Sequence, residues 1–206
     1  MIQRILIWDA PTRVFHWMQA ISFAGAYLTS ESERNRDIHV AFGYIMLGLL
    51  VFRLLWGFLG TRYSRFSSFV FKPGEIIAYL LSLFKAKPKH YLGHNPAGSV
   101  AVWLLMSIGL FICVTGVMAL QDNASDAVVK MHGAATKVML AVILLHLVGV
   151  LVSSMLHREN LVLSMITGFK SAEMDEGIRR SYNWLGVLML AVAVVFWFVF
   201  LRQTAG

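Results

Sequence analysis

The chain has 206 residues, of which 58% are hydrophobic and only 14% charged. A soluble domain carries nearer a quarter charged residues, so this composition excludes an ordinary globular protein and points to an integral membrane one. The net charge of +7 would suggest nucleic acid as a partner in a soluble chain; here the basic residues fall between apolar spans, where membrane topology accounts for them, and no nucleic acid is expected.

Residues 1–9 hold one arginine and an apolar run too short for a cleaved signal peptide. Asp9-Ala10-Pro11-Thr12 then has the chemistry of a helix start, and a first span follows over about 11–28, with His16 near its beginning. A polar loop, Thr29 to Asp37, leads into a second span over about 38–59, which opens with His39 and carries Arg53 deep inside. The longest connection contains Arg62, Arg65, Lys72, Lys85, Lys87 and Lys89 against one acid, Glu75. Within it, the apolar stretch Pro73 to Phe84 is too short to cross a bilayer and is expected to lie in the interface.

The third span, about 97–120, has no histidine; Gly109 and Gly116, with Ser107 and Thr115, let neighbouring helices approach. The lone Cys113 lies within it, which excludes an intramolecular disulfide and a cysteine-ligated iron–sulfur site and fits a core position. The fourth span, about 131–156, contains His132 and His146. A polar segment then precedes a fifth span over about 184–201. The expected fold is all-α: an integral membrane four-helix haem-binding bundle over residues 1–170, with residues 171–206 adding a polar segment and a fifth, C-terminal transmembrane helix.

Basic residues set the orientation. With the N-terminus in the cytoplasm, the first segment, the long second loop and the Arg158–Arg180 segment are inside and hold most of the Lys and Arg; the outer loops hold Arg34, Arg36 and Lys130. The C-terminus is then periplasmic.

Depth decides which histidines can meet. His132 and His146 are fourteen residues apart, so on one helix they share a face and lie about 21 Å apart along the axis. Span one runs opposite to spans two and four. His16 is therefore level with His146 toward the inside, and His39 with His132 toward the outside. Two bis-histidine sites at two depths suit two haem irons, and an iron with two imidazoles has no open position, so it transfers electrons. The competing readings are helix–helix hydrogen bonds, a zinc site, which wants four ligands at one depth, and a proton relay, for which no buried Asp or Glu accompanies the histidines.

His157, eleven residues past His146, falls on the same face and is the alternative inner ligand, or an interfacial residue at the charged helix end. His90 and His94 read as solvent-facing loop residues, with a haem-edge or quinone-side role as the second reading for His94. Arg53, fourteen residues past His39, either pairs with haem propionates or snorkels to the inner interface. Lys137 invites the same two readings. Phe15, Trp17, Tyr44 and Trp56 either flank porphyrin faces or anchor at the interfaces.

Trp8-Asp9-Ala10-Pro11-Thr12-Arg13 with Phe15-His16-Trp17, His39 with Gly43-Tyr44, Arg53 with Trp56-Gly57, Gly93-His94-Asn95-Pro96-Ala97-Gly98, Leu145-His146 with Gly149-Val150, and His157-Arg158-Glu159-Asn160-Leu161 with Met165-Ile166-Thr167-Gly168 occur in this order. Together they resemble bacterial di-haem cytochromes b of the cytochrome b-561 type, a group that includes the cytochrome b subunits of nickel–iron hydrogenases. The resemblance covers about residues 8–170 and leaves out the fifth span. It implies a four-helix core whose histidines on helices one, two and four (here His16, His39, His132 and His146) hold two b-haems. It also implies electron exchange between a redox partner and membrane quinone, ubiquinone or menaquinone, in the bacterial inner membrane. The partner would be a periplasmic dehydrogenase or hydrogenase subunit, or a c-type cytochrome. A stand-alone quinone-linked superoxide oxidase is the alternative, and a haem-free transporter or structural protein a further one. With no extramembrane domain large enough for substrate chemistry, an electron-transfer subunit is expected rather than an independent enzyme.

Overall fold

The computed structural model describes residues 3–85, 89–172 and 176–204; Lys87, counted above among the inner basic residues, lies outside them. The elements are β1 (Gln3–Leu6), α1 (Ala10–Thr29), α2 (Arg36–Leu59), α3 (Pro73–Phe84), α4 (Pro96–Ala119), α5 (Asp126–His157), α6 (Leu161–Thr167), β2 (Phe169–Ala172) and α7 (Asn183–Thr204).

Capping chemistry explains where the helices start. The Asp9 carboxylate accepts the Thr12 amide at 2.8 Å, and Pro11 occupies the first turn of α1, where a missing N–H costs nothing. Asn95 accepts the Gly98 amide at 2.7 Å ahead of Pro96 in α4, and Asn160 accepts the Leu163 amide at 2.8 Å ahead of α6. Glu75 reaches back to the Lys72 amide at 2.7 Å to start α3. Gly168 ends α6 at φ +89°, a left-handed conformation that glycine adopts without strain.

Among the described residues, four helical stretches are long and apolar enough to cross a membrane: Glu33–Leu59, Pro96–Ala119, Asp126–His157 and Asn183–Thr204. Their outward side chains are apolar and bare, Leu59 and Met155 at 79% exposed among them, as lipid requires. The least apolar of the long helices is α1, because Thr12, Arg13, His16, Gln19 and Ser22 interrupt it. Its twenty residues rise about 30 Å, a bilayer's hydrocarbon thickness, and it packs antiparallel along α2. The start of α1 meets the end of α2 through Trp56 Nε1 and Asp9 at 3.1 Å, and its end meets the start of α2 through His39 and Ala26 at 2.8 Å.

The bundle core joins Phe23, Met46, Leu50, Met106, Ile112, Cys113 and Met139. At mid-height a Cβ on Gly109 would stand 3.5 Å from Leu50, 3.6 Å from Met139 and 3.8 Å from Gln19, so four helices converge where this glycine leaves room. Helix α7 lies along α1 and α2: Gly186 sits against Ala10 and Val14, and Trp197 packs on Phe42 with ring centres 4.6 Å apart.

One feature was not legible from periodicity. β1 and β2 form a two-stranded antiparallel sheet, Gln3 opposite Ala172 and Leu6 opposite Phe169, at the end of the bundle expected to face inward, hereafter the inner end. The clamp continues as the Ile7 and Trp8 amides donate to the Gly168 carbonyl at 2.8 and 3.0 Å, and Ala10 N to Ser181 O at 2.8 Å. Residue 170, where the bundle was expected to end, is thus inside a strand bound to the N-terminus.

Candidate functional site

The four intramembrane histidines meet in two pairs at two depths. The rings of His16 on α1 and His146 on α5 have centroids 6.5 Å apart, and those of His39 on α2 and His132 on α5 are 6.2 Å apart. In the outer pair each ring is held from behind. His39 Nδ1 donates to the Ala26 carbonyl at 2.8 Å, and His132 Nδ1 to the Ile112 carbonyl at 3.1 Å, with Thr115 Oγ1 at 3.3 Å. A carbonyl can only accept, so both Nδ1 atoms carry a proton, and in the neutral imidazole the lone pair is then on Nε2. Two such rings cannot hydrogen-bond to each other through Nε2; they are complementary to a Lewis acid between them, and a backbone carbonyl behind the ring is how ligating histidines are usually oriented.

Gly116 belongs to the same cradle. A Cβ there would lie 3.1 Å from His132 Cε1, so the absent side chain gives the ring its place. The sequence assigned Gly116 and Thr115 to close helix approach, and the neighbour they approach is His132 on α5, while Ser107 faces outward. The carbonyls of Ala26 and Ile112 carry no sequence signal at all.

The inner pair is held differently. His16 Nδ1 is buried with no hydrogen-bond partner, and the ring meets Trp17 edge-on at 5.0 Å. Trp17 Nε1 in turn donates to the Met165 carbonyl at 3.2 Å, and Arg13 to that of Ile166 at 2.6 Å, which tie α1 to α6.

Arg53 does not snorkel. It is 2% exposed, with its guanidinium over Phe66 at 5.1 Å and Phe69 at 5.9 Å, and its Nη1 has no partner. Asp9 is the nearby carboxylate, and its oxygens already accept from Thr12 N, Trp56 Nε1 and Thr61 Oγ1.

His94 corrects the sequence reading. It is half-buried and not a solvated loop residue: the ring is wedged between Trp8 at 4.8 Å and Phe69 at 4.5 Å, and its Nδ1 is buried without a partner. Burial, reinforced by the Arg53 and Lys170 cations, pushes this imidazole down to about 3, so it is uncharged at neutral pH. His90 is exposed; it touches Glu159 at 3.4 Å and stacks edge-on with His157 at 5.2 Å. The structure therefore brings His146, and not His157, to His16. Lys137 is exposed on α5 and points away from the bundle. Of the aromatics, Phe15 packs against the core, Trp56 binds Asp9, and Tyr44 lies on α7, 5.9 Å from Phe200.

The donor set fits haem on three observations. Histidines converge in twos; among the described residues His, Cys, Asp and Glu side chains nowhere gather in threes to enclose a bare ion. Two axial imidazoles suit an iron whose remaining ligands come from a macrocycle. A buried unpartnered guanidinium stands ready for a carboxylate at the inner level.

Comparison with known proteins agrees with this chemistry. Residues 7–168 match the family described as prokaryotic cytochrome b561. A probable Ni/Fe-hydrogenase B-type cytochrome subunit of Rhizobium leguminosarum bv. viciae is 26% identical, covering 83% of this chain and 92% of its own length. Similar proteins of the same description occur in Azotobacter vinelandii, 30% identical over 54% of this chain and 58% of that protein, and in Escherichia coli K12, 28% identical over 59% and 63%. No solved structure matches the chain. The matched residues take in α1 to α6 and all four paired histidines, and the chain belongs to the prokaryotic cytochrome b561 family.

Proposed function

We propose that this chain is a membrane electron-transfer subunit with two b-haems, one between His16 and His146 and one between His39 and His132. The observation that carries the reading is the outer pair, whose Nδ1 atoms are both committed to backbone carbonyls and whose Nε2 lone pairs are thereby offered to a metal. Bound haem iron supplies a one-electron couple. The chain supplies the rest: α5 carries one ligand at each depth, α1 and α2 each complete one pair, and Arg53 provides a buried cation for the inner haem's propionates. With two histidines committed to each iron, bound haem would supply electron relay and leave no position for a substrate.

Electrons pass between a redox protein on one side and membrane quinone, ubiquinone or menaquinone. The relatives are described as hydrogenase cytochrome subunits, which makes a Ni/Fe hydrogenase the first partner to test, ahead of another dehydrogenase or a c-type cytochrome. The chain lies in the bacterial cytoplasmic membrane with its N-terminus inside and its C-terminus periplasmic; the arginines and lysines clustered at the β1–β2 end support this orientation. Residues 1–170 form the haem-binding unit, and α7 is an added fifth crossing.

The test is the haem content and reduced-minus-oxidised spectrum of the purified chain beside His146→Ala and His132→Ala. Two b-haems per chain, falling toward one in each variant, are expected. A folded preparation without haem would sink the reading, and two haems kept in His146→Ala would move the inner ligand to His157.

A further inference from the structure

Near Arg53, the inner floor of the bundle holds another buried, unpartnered nitrogen, His94 Nδ1. His94 stands in the turn before α4 and is packed among aromatic rings. Asn95 is committed to capping α4, a side chain at position 93 would meet the Tyr63 ring at 2.8 Å, and Trp8 and Phe69 hold the imidazole itself. Phe69, which is wholly buried, touches both groups: the Arg53 guanidinium lies 5.9 Å from its centre and the His94 ring 4.5 Å. The two groups thus share Phe69 as a neighbour, and His94 Nδ1 and Arg53 Nη1 are both buried atoms without a hydrogen-bond partner.

A buried donor without an acceptor is costly, and two beside each other select one kind of occupant. It must accept from both, and beside a guanidinium it is most strongly bound as an anion. Asp9 already accepts from three donors, and Glu159 meets Lys170 and His90 through Oε2; neither carboxylate bonds the His94 or the Arg53 nitrogen. Both nitrogens are open to an acceptor from outside the chain.

We propose that His94 is a haem-binding residue: its ring N–H and the Arg53 guanidinium together donate to a propionate carboxylate of the haem held between His16 and His146. This rests on the haem reading above and adds to it a residue from a loop. The ring is uncharged, so its contribution is a directed hydrogen bond, while Arg53 contributes the opposite charge. The aromatic walls of Trp8 and Phe69 leave the imidazole little freedom to turn away, so the donor is fixed before the acceptor arrives.

The experiment is a redox titration of both haems in the purified full chain, comparing wild type with His94→Phe and His94→Gln. Phenylalanine keeps a ring between Trp8 and Phe69 but removes the donor; glutamine keeps a donor. A propionate that loses a donor retains more of its negative charge and favours ferric iron. His94→Phe is therefore expected to lower the midpoint potential of one haem, the one that His146→Ala removes, and His94→Gln to recover most of that shift. Loss of that haem alone in His94→Phe, with retention in His94→Gln, has the same meaning. Unchanged potentials in His94→Phe overturn the proposal, as do equal shifts in both variants, which belong to packing. Where His94→Phe yields no folded chain, His94→Ala with added imidazole decides: restored potential supports the bond, and no response overturns it. A wild-type chain free of haem is a different failure, that of the haem reading itself.

Discussion

The outer and inner halves of the bundle hold the same pair of imidazoles by different means. Outside, backbone carbonyls of α1 and α4 seize Nδ1 of His39 and His132, and a glycine and a threonine shape the pocket. Nothing charged takes part. Inside, His16 has no carbonyl behind it and the surroundings are Arg53, Asp9, His94 and a wall of Trp8, Phe66 and Phe69, closed from below by the β1–β2 sheet and the Lys170–Glu159 pair. The outer site is thus fixed by helix geometry alone, the inner one by a cap of distant segments. Helix geometry is local and hard to perturb without touching the bundle; a cap can be loosened at its own contacts.

The largest expected effect comes from loosening that cap. Lys170 is 3% exposed at its side chain and bonds Glu159 at 3.1 Å. Removing one partner of such a buried pair costs about 3–5 kcal/mol, so Glu159→Gln should lower the thermal unfolding midpoint in detergent and speed amide exchange at the inner end only. Burial already holds the Lys170 amine below its ordinary value. In the variant the unfolded state binds more protons than the folded one, so its stability should rise with pH. Exchange that quickens equally at both ends would erase the contrast between the halves.

A smaller effect is expected from overfilling the outer cradle. Gly116→Leu places atoms where the His132 ring lies and should cost about 1–3 kcal/mol. Its sharper signature is selective: outer haem lost, inner haem kept, read as haem per chain. The smallest is Thr115→Val, which removes one hydroxyl beside His132 Nδ1 while the Ile112 carbonyl still holds the ring. A change of about 1 kcal/mol or less is expected, with both haems retained; loss of the outer haem would make Thr115 the principal anchor.

The division also explains what the sequence could tell. Which histidines meet was readable because depth along a helix follows from rise per residue, and apolar length fixes where each helix stands. The helix start at Asp9 was written in its capping residues. The inner cap was not readable. Nothing local in Gln-Arg-Ile-Leu announces a strand paired with residues 169–172, a contact closed only when α1 and α6 already lie together. His94 was misplaced for the same reason: a polar residue in a basic loop reads as solvated, and only the fold brings Trp8 and Phe69 around it. Arg53 stood out as an intramembrane charge, but its direction depended on the aromatic rings of a segment that follows α2.

The mid-height layer around Gly109, apolar at Leu50 and Met139 with one buried amide at Gln19, separates the two histidine pairs without a charged group. A layer of that kind is a dielectric gap, and much of the voltage across the membrane falls over it. An elementary charge moved through the full voltage changes energy by about 2.3 kcal/mol per 100 mV. With a haem at each level, as proposed, electron passage between them would generate or consume voltage according to its direction, and the balance of reduced iron between the two faces would be a voltmeter for an energised membrane.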